Sequence, residues 1–126
     1  MATIVFGNND LLMKLNYIVH PRVIAYIHYR IRKSKSKIIV LDAPLLIEAG
    51  LDKIVDKIIV VSVTRKEQLK RIKKRDSLIR SDILKRVKTQ IPLKLKKCMA
   101  DFVIDNSSTI TNTKKQVGEI LKSLVA

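Results

Sequence analysis

The chain has 126 residues, of which 47% are apolar and 4% aromatic, so we expect one domain with a core of Ile, Leu and Val. No apolar run approaches the roughly 18 residues of a membrane helix, and MATIVFGNND lacks the regions of a secretory signal. The single cysteine, Cys98, cannot form an internal disulfide. Membrane and disulfide-scaffold classes are therefore excluded, and we expect a cytoplasmic protein with net charge +15.

Three short runs rich in Ile, Val and Phe predict strands: Ile38–Leu41, Lys57–Val63 and Phe102–Ile104. The runs are almost continuously apolar, which is typical of parallel strands covered on both faces. Helical segments separate the strands, and this alternation predicts an α/β fold.

Helical spacing and start signals predict five helices. Pro21 is favoured at a first helical position, and Thr64 with Glu67 three residues on predicts a capping box. The inner face of the last helix is predicted to be Val117, Ile120, Leu121 and Leu124. The predicted helices are Pro21–Arg32, Arg65–Arg75, about Asp82–Gln90, Leu93–Met99 and Thr113–Leu124.

Positive charge is concentrated between residues 65 and 97, where 14 Lys and Arg stand against 3 Asp and Glu, a net +11. Such a block attracts a polyanion, either nucleic acid or a phosphorylated small molecule. For the lysines, a solvated helix surface is an adequate explanation. Surfaces that bind single-stranded nucleic acid combine aromatic with basic side chains. Here Tyr17, Tyr26 and Tyr29 precede the basic block and do not interleave with it, which weakens the case for such a surface. A non-catalytic basic module that binds nucleic acid nevertheless stays open as an alternative function.

Asp42 follows the predicted strand Ile38–Leu41, at the end where open α/β sheets bind ligands. In a phosphoryl-transfer protein an aspartate here holds Mg²⁺, directly or through water. Capping of the following turn explains the residue equally well. His20 and Cys98 have no metal-ligand spacing around them, so we expect no zinc site.

Gln68, Arg71 and Arg75 share one face of a predicted helix, at positions i, i+3 and i+7. Two guanidinium groups one turn apart can grip a triphosphate through paired N–H contacts, which lysine does less well. A surface helix with Asp76 pairing locally is the competing interpretation.

The basic arm from about residue 78 to 99 lies between a helix and a strand, and it is typical of a lid that closes over phosphates. An ordinary helical connection explains it as well. The polar turn after the third strand, at Asn106, either borders a nucleotide base or is merely a turn.

Five segments together resemble the dephospho-CoA kinases, P-loop kinases related in fold to nucleoside monophosphate kinases. The resemblance runs from about Val5 to Leu124, and its order and spacing make it specific. The segments are LNYIVHP (Leu15–Pro21), DAPLLIEAGL (Asp42–Leu51), QLKRIKKRD (Gln68–Asp76), RVKTQIPLKLK (Arg86–Lys96) and ADFVIDN (Ala100–Asn106).

The resemblance implies a three-layer parallel sheet and a reaction, the transfer of the ATP γ-phosphate to the ribose 3′-hydroxyl of dephospho-CoA with Mg²⁺. This is the last step of coenzyme A biosynthesis. Arg75 would touch the transferring phosphate, Arg71 would help to bind ATP, and Arg86 would reach in from the lid. Asn106 would lie near the adenine. The residues implied to shape the acceptor site are Pro44, Leu45, Leu46 and Glu48.

The chain departs from the family at its start. The family's first strand and G-x-x-x-x-G-K-[ST] loop, which holds the phosphates and Mg²⁺, cannot be assembled here because glycines occur only at positions 7, 50 and 118. The family's acidic base, which follows that loop, is missing too. Residues 1–126 are therefore interpreted as the C-terminal two-thirds of a kinase domain.

We expect this chain alone to show no useful kinase activity and no tight ATP or Mg²⁺ binding. Without its first strand the sheet would expose edges and an apolar face. We therefore expect marginal stability, self-association or pairing with the missing N-terminal segment. A structural relic without function is a third alternative.

Overall fold

The structure is a computed structural model that describes residues 8–76, 88 and 90–126. The chain divides into two compact units, Met1–Lys53 and Ile54–Ala126. In chain order the elements are α1 (Asn9–Lys33), a 3-10 helix (Leu51–Ile54), β1 (Ile59–Ser62), α2 (Arg65–Asp76), α3 (Leu93–Met99), β2 (Phe102–Asp105) and α4 (Ile110–Val125).

Helix α1 begins twelve residues before the predicted start at Pro21, so that prediction is wrong. The side chain of Asn8 caps the helix by accepting the N–H groups of Asp10 and Leu11 at 3.0 and 3.2 Å. Pro21 lies inside the helix. It lacks one N–H, yet the rest of the helical ladder continues past it. Ile27, in the carboxyl-terminal half of the helix, is buried.

The predicted strand Ile38–Leu41 does not form. The one sheet among the described residues contains only β1 and β2. Val40 is 86% exposed. An apolar, β-branched run favours an extended chain, but a strand also needs a neighbour for its ladder hydrogen bonds. The described residues offer this segment no such neighbour.

The segment after Asp42 forms a tight turn that ends at Gly50. The Gly50 N–H donates to the Ile47 carbonyl at 3.0 Å, and the Leu51 N–H donates to the Leu46 carbonyl at 2.9 Å. Gly50 has a φ of 70°, so these two bonds and the left-handed residue form a Schellman motif. Leu51, the residue that follows, is buried.

Strands β1 and β2 pair in parallel, with Ile59 opposite Phe102 and Ser62 opposite Asp105. The predicted parallel sheet is confirmed for these two strands. Helix α3 packs on β1 and α4 packs on β2. Val61 is nevertheless 56% exposed and Val103 is 42% exposed. The prediction that both faces are covered is therefore wrong for the described residues, because one helix per strand leaves alternate side chains open.

Asp101 fastens the amino ends of the two strands. Its carboxylate accepts the Ile58 N–H at 2.8 Å and the Lys57 ammonium at 2.9 Å, while its own N–H donates to the Ile58 carbonyl at 2.9 Å. The Ile58 bond, followed by the Lys57 bond, holds the pKa of Asp101 below its ordinary value of 3.8. The carboxylate thus joins residues 43 or 44 positions apart in the chain.

Helix α4 starts at Ile110, three residues before the prediction, because the Thr109 side chain accepts the Asn112 N–H at 3.2 Å. On its predicted inner face Val117, Leu121 and Leu124 are 46%, 49% and 38% exposed, so the prediction is wrong for these three residues. Polar side chains of α4 bond to the end of β2 instead, as described below. Across the described part of the chain, no helix has both the length and the apolarity to span a membrane.

Candidate functional site

The carboxyl ends of β1 and β2 lie side by side, and the chain continues from each into a polar turn. The Asn106 N–H donates to the Ser62 carbonyl at 2.8 Å, and the Thr64 N–H donates to the Ser107 hydroxyl at 3.0 Å. These two bonds join the turn after β2 to the end of β1 and the residue that caps α2. The edge at which open α/β sheets bind ligands is therefore fixed by hydrogen bonds between the two strand ends.

Asp105 orders the turn after β2. Its carboxylate accepts the Ser107 N–H at 2.9 Å. The side-chain bond of Ser107, and next its main-chain bond, lower the pKa of Asp105, so the group is ionised at neutral pH. On the outer side of β2, the Gln116 carboxamide accepts the Asp105 N–H and donates to the Asp105 carbonyl, each at 2.9 Å. The end of the strand is thus held from both sides.

Asn106 is half-buried, and its side chain is held by α4. The Thr113 hydroxyl donates to the Asn106 Oδ1 at 3.0 Å. Its main chain is fixed to Ser62, as described above. Asn106 is therefore held through both its main chain and its side chain at the carboxyl edge of the sheet.

A shallow depression of about 280 Å³ opens beside these strand ends. Its walls come from β1, β2, α3 and the amino-terminal half of α4. A cation from α3, Lys97, faces the ionised Asp105 and contributes to lowering its pKa. The lining residues are Ser62, Val63, Thr64, Lys97, Val103, Asp105, Ser107 and Gln116.

The predicted capping box at the start of α2 forms on one side only. The Glu67 N–H donates to the Thr64 hydroxyl at 3.4 Å, as predicted. The Thr64 N–H, however, is bound by the Ser107 hydroxyl at 3.0 Å, and Glu67 pairs with Lys70 at 3.7 Å. In a complete capping box the Glu67 side chain would accept the Thr64 N–H. Here the Ser107 hydroxyl, in the turn after β2, accepts it instead. This replacement ties the start of α2 to the end of β2.

Helix α2 runs without interruption through Gln68, Arg71 and Arg75, so the predicted spacing on one helix is confirmed. Both arginines are exposed, whereas Leu69 and Ile72 are half-buried. The helix thus has one apolar flank and one exposed flank that carries two arginine side chains.

The predicted metal and acceptor residues lie in the first unit, within residues 42–48. Asp42 is exposed. In the part of the chain that the structure describes, no group of three or more His, Cys, Asp or Glu side chains could hold a metal ion. The turn after Asp42 leaves two acceptor residues exposed, Pro44 and Leu45, and two half-buried, Leu46 and Glu48.

Arg86 and half of the predicted lid arm, residues 78–87 and 89, lie outside the described residues. The carboxyl-terminal part of that arm is described, and it forms the predicted short helix α3 at the predicted limits Leu93–Met99. The predicted helix from about Asp82 to Gln90 also falls largely outside the description.

Thr113 and Gln116, the two α4 residues that hold the turn after β2, were not among the site residues predicted from the sequence. The signal was present: both are polar and stand three residues apart, so they share a helix face near its amino end. The apolar residues that follow on the same helix concealed this signal, because they indicated an apolar inner face.

The described residues form an α/β protein whose two parallel strands end in joined polar turns, at the edge where open α/β sheets bind ligands. The family model for dephospho-CoA kinase matches residues 1–112. The chain belongs to the dephospho-CoA kinase family.

Curated relatives agree with this assignment. A dephospho-CoA kinase of Carboxydothermus hydrogenoformans is 44% identical over 125 residues, which cover 97% of this chain and 61% of the relative. One of Listeria monocytogenes is 38% identical over 128 residues, which cover 99% of this chain and 64% of the relative. The chain therefore spans somewhat less than two thirds of the length of these relatives.

Solved structures share the fold. A crystal structure of TT1252 from Thermus thermophilus matches 98% of this chain and 64% of its own, with a TM-score of 0.80 and 25% identity. A dephospho-CoA kinase from Campylobacter jejuni matches 97% of this chain and 62% of its own, with a TM-score of 0.61 and 27% identity. The α/β architecture predicted from the sequence is thus confirmed.

Proposed function

We propose that this chain supplies nucleotide- and acceptor-binding residues for the ATP-dependent phosphorylation of the ribose 3′-hydroxyl of dephospho-CoA. Membership in the kinase family is the observation that carries the proposal. The arginine flank of α2 supports it, because the helix starts at the ligand-binding edge of the sheet through Thr64 and Ser107. In this reaction the bond from the γ-phosphorus to the bridging oxygen of ATP breaks, and a bond to the 3′-oxygen forms.

The two arginines of α2 would act on the charge of the phosphates. Catalysis of phosphoryl transfer consists mostly of positioning and of neutralising charge on the transferring group. Arg75 would contact that group, and Arg71, one turn earlier, would bind the phosphates of ATP. Arg86 is proposed to join them from the lid. We assign no residue of this chain as the base that takes the hydroxyl proton.

Asp42 would hold Mg²⁺, directly or through water, and the ion would neutralise the ATP phosphates when bound. A single exposed carboxylate fits this ion, because Mg²⁺ keeps several waters and is usually bound by one or two carboxylates with substrate phosphates.

The acceptor and the base of ATP would meet different parts of the chain. Pro44, Leu45, Leu46 and Glu48 would form a wall for dephospho-CoA, on the turn that the Gly50 motif ends. Asn106 would lie against the adenine. ATP and dephospho-CoA are the proposed ligands, and we expect weak ATP binding unless a phosphate-binding loop is also present.

The test joins residues 1–126 to an amino-terminal segment that carries the first strand and the G-x-x-x-x-G-K-[ST] loop of the kinase family. We expect the fused protein to form coenzyme A from ATP, Mg²⁺ and dephospho-CoA, measured by mass spectrometry. The unfused chain should form none, and neither should a fusion whose loop lysine is replaced by alanine. A folded fusion that forms no coenzyme A would overturn the proposal.

A further inference from the structure

Helix α1 has two faces that differ in exposure. One face contains the buried Ile27 and the half-buried Ile24 and Ile31. On the opposite face, apolar and aromatic side chains recur at helical spacing, and the exposed fraction of each lies between 38% and 59%. We call this row the open strip, and its members are Leu11, Leu15, Ile18, Tyr26 and Tyr29. A helix that is apolar on both faces is normally covered on both, so the open strip is a candidate docking surface.

Positive charge accompanies the open strip. Arg22 and Lys33 continue its helical spacing, and both are exposed. Between Asp10 and Asp42 the chain has seven Lys and Arg and no Asp or Glu. The partner that complements this side of α1 therefore carries negative charge.

Two tyrosines of the open strip hold cations beside their rings. The Arg30 guanidinium carbon lies 5.7 Å from the centre of the Tyr26 ring, and Arg30 Nη1 donates to the Tyr26 hydroxyl at 2.8 Å. The Lys33 ammonium lies 6.0 Å from the centre of the Tyr29 ring. Basic groups are thus kept next to aromatic ones in the carboxyl-terminal half of the strip.

Three kinds of partner can be compared for such a surface. Apolar and aromatic side chains flanked by Lys and Arg are the residues with which a helix lies in the interface of an anionic bilayer, where the amphipathic ring of tyrosine is favoured. Nucleic acid fits less well, because bases stack on open aromatic rings and cations lie beside Tyr26 and Tyr29. A second copy of the chain fits less well, because it would bring two positively charged strips together.

We propose that α1 docks through the open strip on a membrane surface rich in anionic lipid headgroups. The helix would lie parallel to the surface, with its apolar side chains among the headgroups and its cations against the phosphates. No helix in the described part of the chain can span a membrane, and this mode of binding requires none. From Leu11 to Lys33 the strip is about 33 Å long, at the rise of an α-helix. The proposal is independent of the proposed reaction, so the failure of one leaves the other standing.

The intrinsic fluorescence of the chain reports on α1 alone, because all three tyrosines lie in this helix and the chain has no tryptophan. The experiment mixes residues 1–126 with phosphatidylcholine vesicles whose acyl chains carry bromine, a quencher, either with or without phosphatidylglycerol. We expect quenching only by the vesicles that contain phosphatidylglycerol, and less of it as salt is added. The proposal is overturned if the anionic vesicles do not quench, or if both kinds of vesicle quench equally.

Substitutions in the open strip separate α1 from the other basic parts of the chain. Arg22→Gln should weaken vesicle binding about fivefold, the effect of one cation near an anionic surface. Ile18→Ser should weaken it about three- to tenfold, because less apolar surface leaves water. Lys74→Gln, which removes an exposed cation from α2, and Met13→Ser, on the side of α1 away from the strip, are the matched controls. Both controls should bind as the unmodified chain does.

The same variants detect the other partners. If Lys74→Gln weakens vesicle binding as much as Arg22→Gln does, any cation suffices and the open strip is not the docking surface. If the chain self-associates without vesicles and Ile18→Ser abolishes this, a second copy covers the strip and the proposal is wrong. It is equally wrong if single-stranded DNA binds more tightly than the anionic vesicles and Arg22→Gln weakens that binding. Circular dichroism checks that each variant is folded, and Arg22→Gln carries the test should Ile18→Ser unfold.

Discussion

Gln116 pairs with the main chain of Asp105 in the way that a neighbouring strand would. Its carboxamide accepts the Asp105 N–H and donates to the Asp105 carbonyl, both at 2.9 Å. Edge strands present unpaired main-chain groups that invite association, and proteins protect such edges in several ways. Here one side chain from the following helix closes the outer edge of β2 at its carboxyl end.

Gln116→Ala is expected to lower the free energy of unfolding by about 1 kcal/mol, the net value of a typical intramolecular hydrogen bond. Water can reach the exposed Asp105 after the change, which limits the loss. Urea unfolding followed by circular dichroism measures the effect. Lys115→Ala, an exposed neighbour on α4, is the control. Equal midpoints for the two variants would show that the pairing contributes nothing to stability.

The same substitution should have opposite effects at two glycines. Gly50 has a φ of 70°, so Gly50→Ala should destabilise the chain by about 1 kcal/mol. Gly118 lies inside α4, where Gly118→Ala should stabilise it by about 0.5–1 kcal/mol.

A new Cβ would meet nothing within 4 Å at either glycine, so the comparison isolates the backbone conformation from steric clashes. Thermal melts of the two variants provide the measurement. A shift of both melting temperatures in the same direction would contradict the assigned conformations.

Asp101 should make the free energy of unfolding depend on pH in acidic solution. Its pKa is lower in the folded chain than the ordinary value of 3.8, so the unfolded chain binds the proton more readily. The stabilisation is fully present well above pH 3.8 and is lost as the pH falls through the lowered folded value. Asp101→Asn removes the ionisable group and should be less stable than the unmodified chain at neutral pH.

Chemical unfolding of the Asp101→Asn variant and the unmodified chain, at neutral pH and at about pH 3, tests this expectation. The difference between the two proteins should shrink at the acidic value. Asp10→Asn, an exposed aspartate in the first turn of α1, is the control for the general loss of carboxylate charge. A difference that stays constant across this range would contradict the assigned role of Asp101.

Much of the secondary structure of the second unit could be predicted from the sequence, because the sequence signals for its strands and helices are local. The runs that became β1 and β2, the Thr64 cap and the arginine spacing on α2 each depend on residues a few positions apart. The strand predicted at Ile38–Leu41 failed because strand formation depends on a partner that composition does not reveal. Asn106 was found through a family resemblance, whereas its partner Thr113 required the packing of α4 against the strand end.

The limits of α1 illustrate a competition between two start signals. Pro21 is a common first helical residue, and it suggested a short helix. Asn8 caps the chain earlier and satisfies two N–H groups, so the helix begins there and passes through the proline.

The most direct test of the account measures the rate of coenzyme A formation by the fused protein with single alanine substitutions on α2. Arg71→Ala and Arg75→Ala should each reduce the rate, Arg75→Ala by about 100-fold or more if it contacts the transferring group. Lys73→Ala, an exposed cation on the opposite side of the helix, should change the rate little. If all three variants lose the same small fraction of activity, any cation suffices, and the assignment of the arginine flank to the phosphates is wrong.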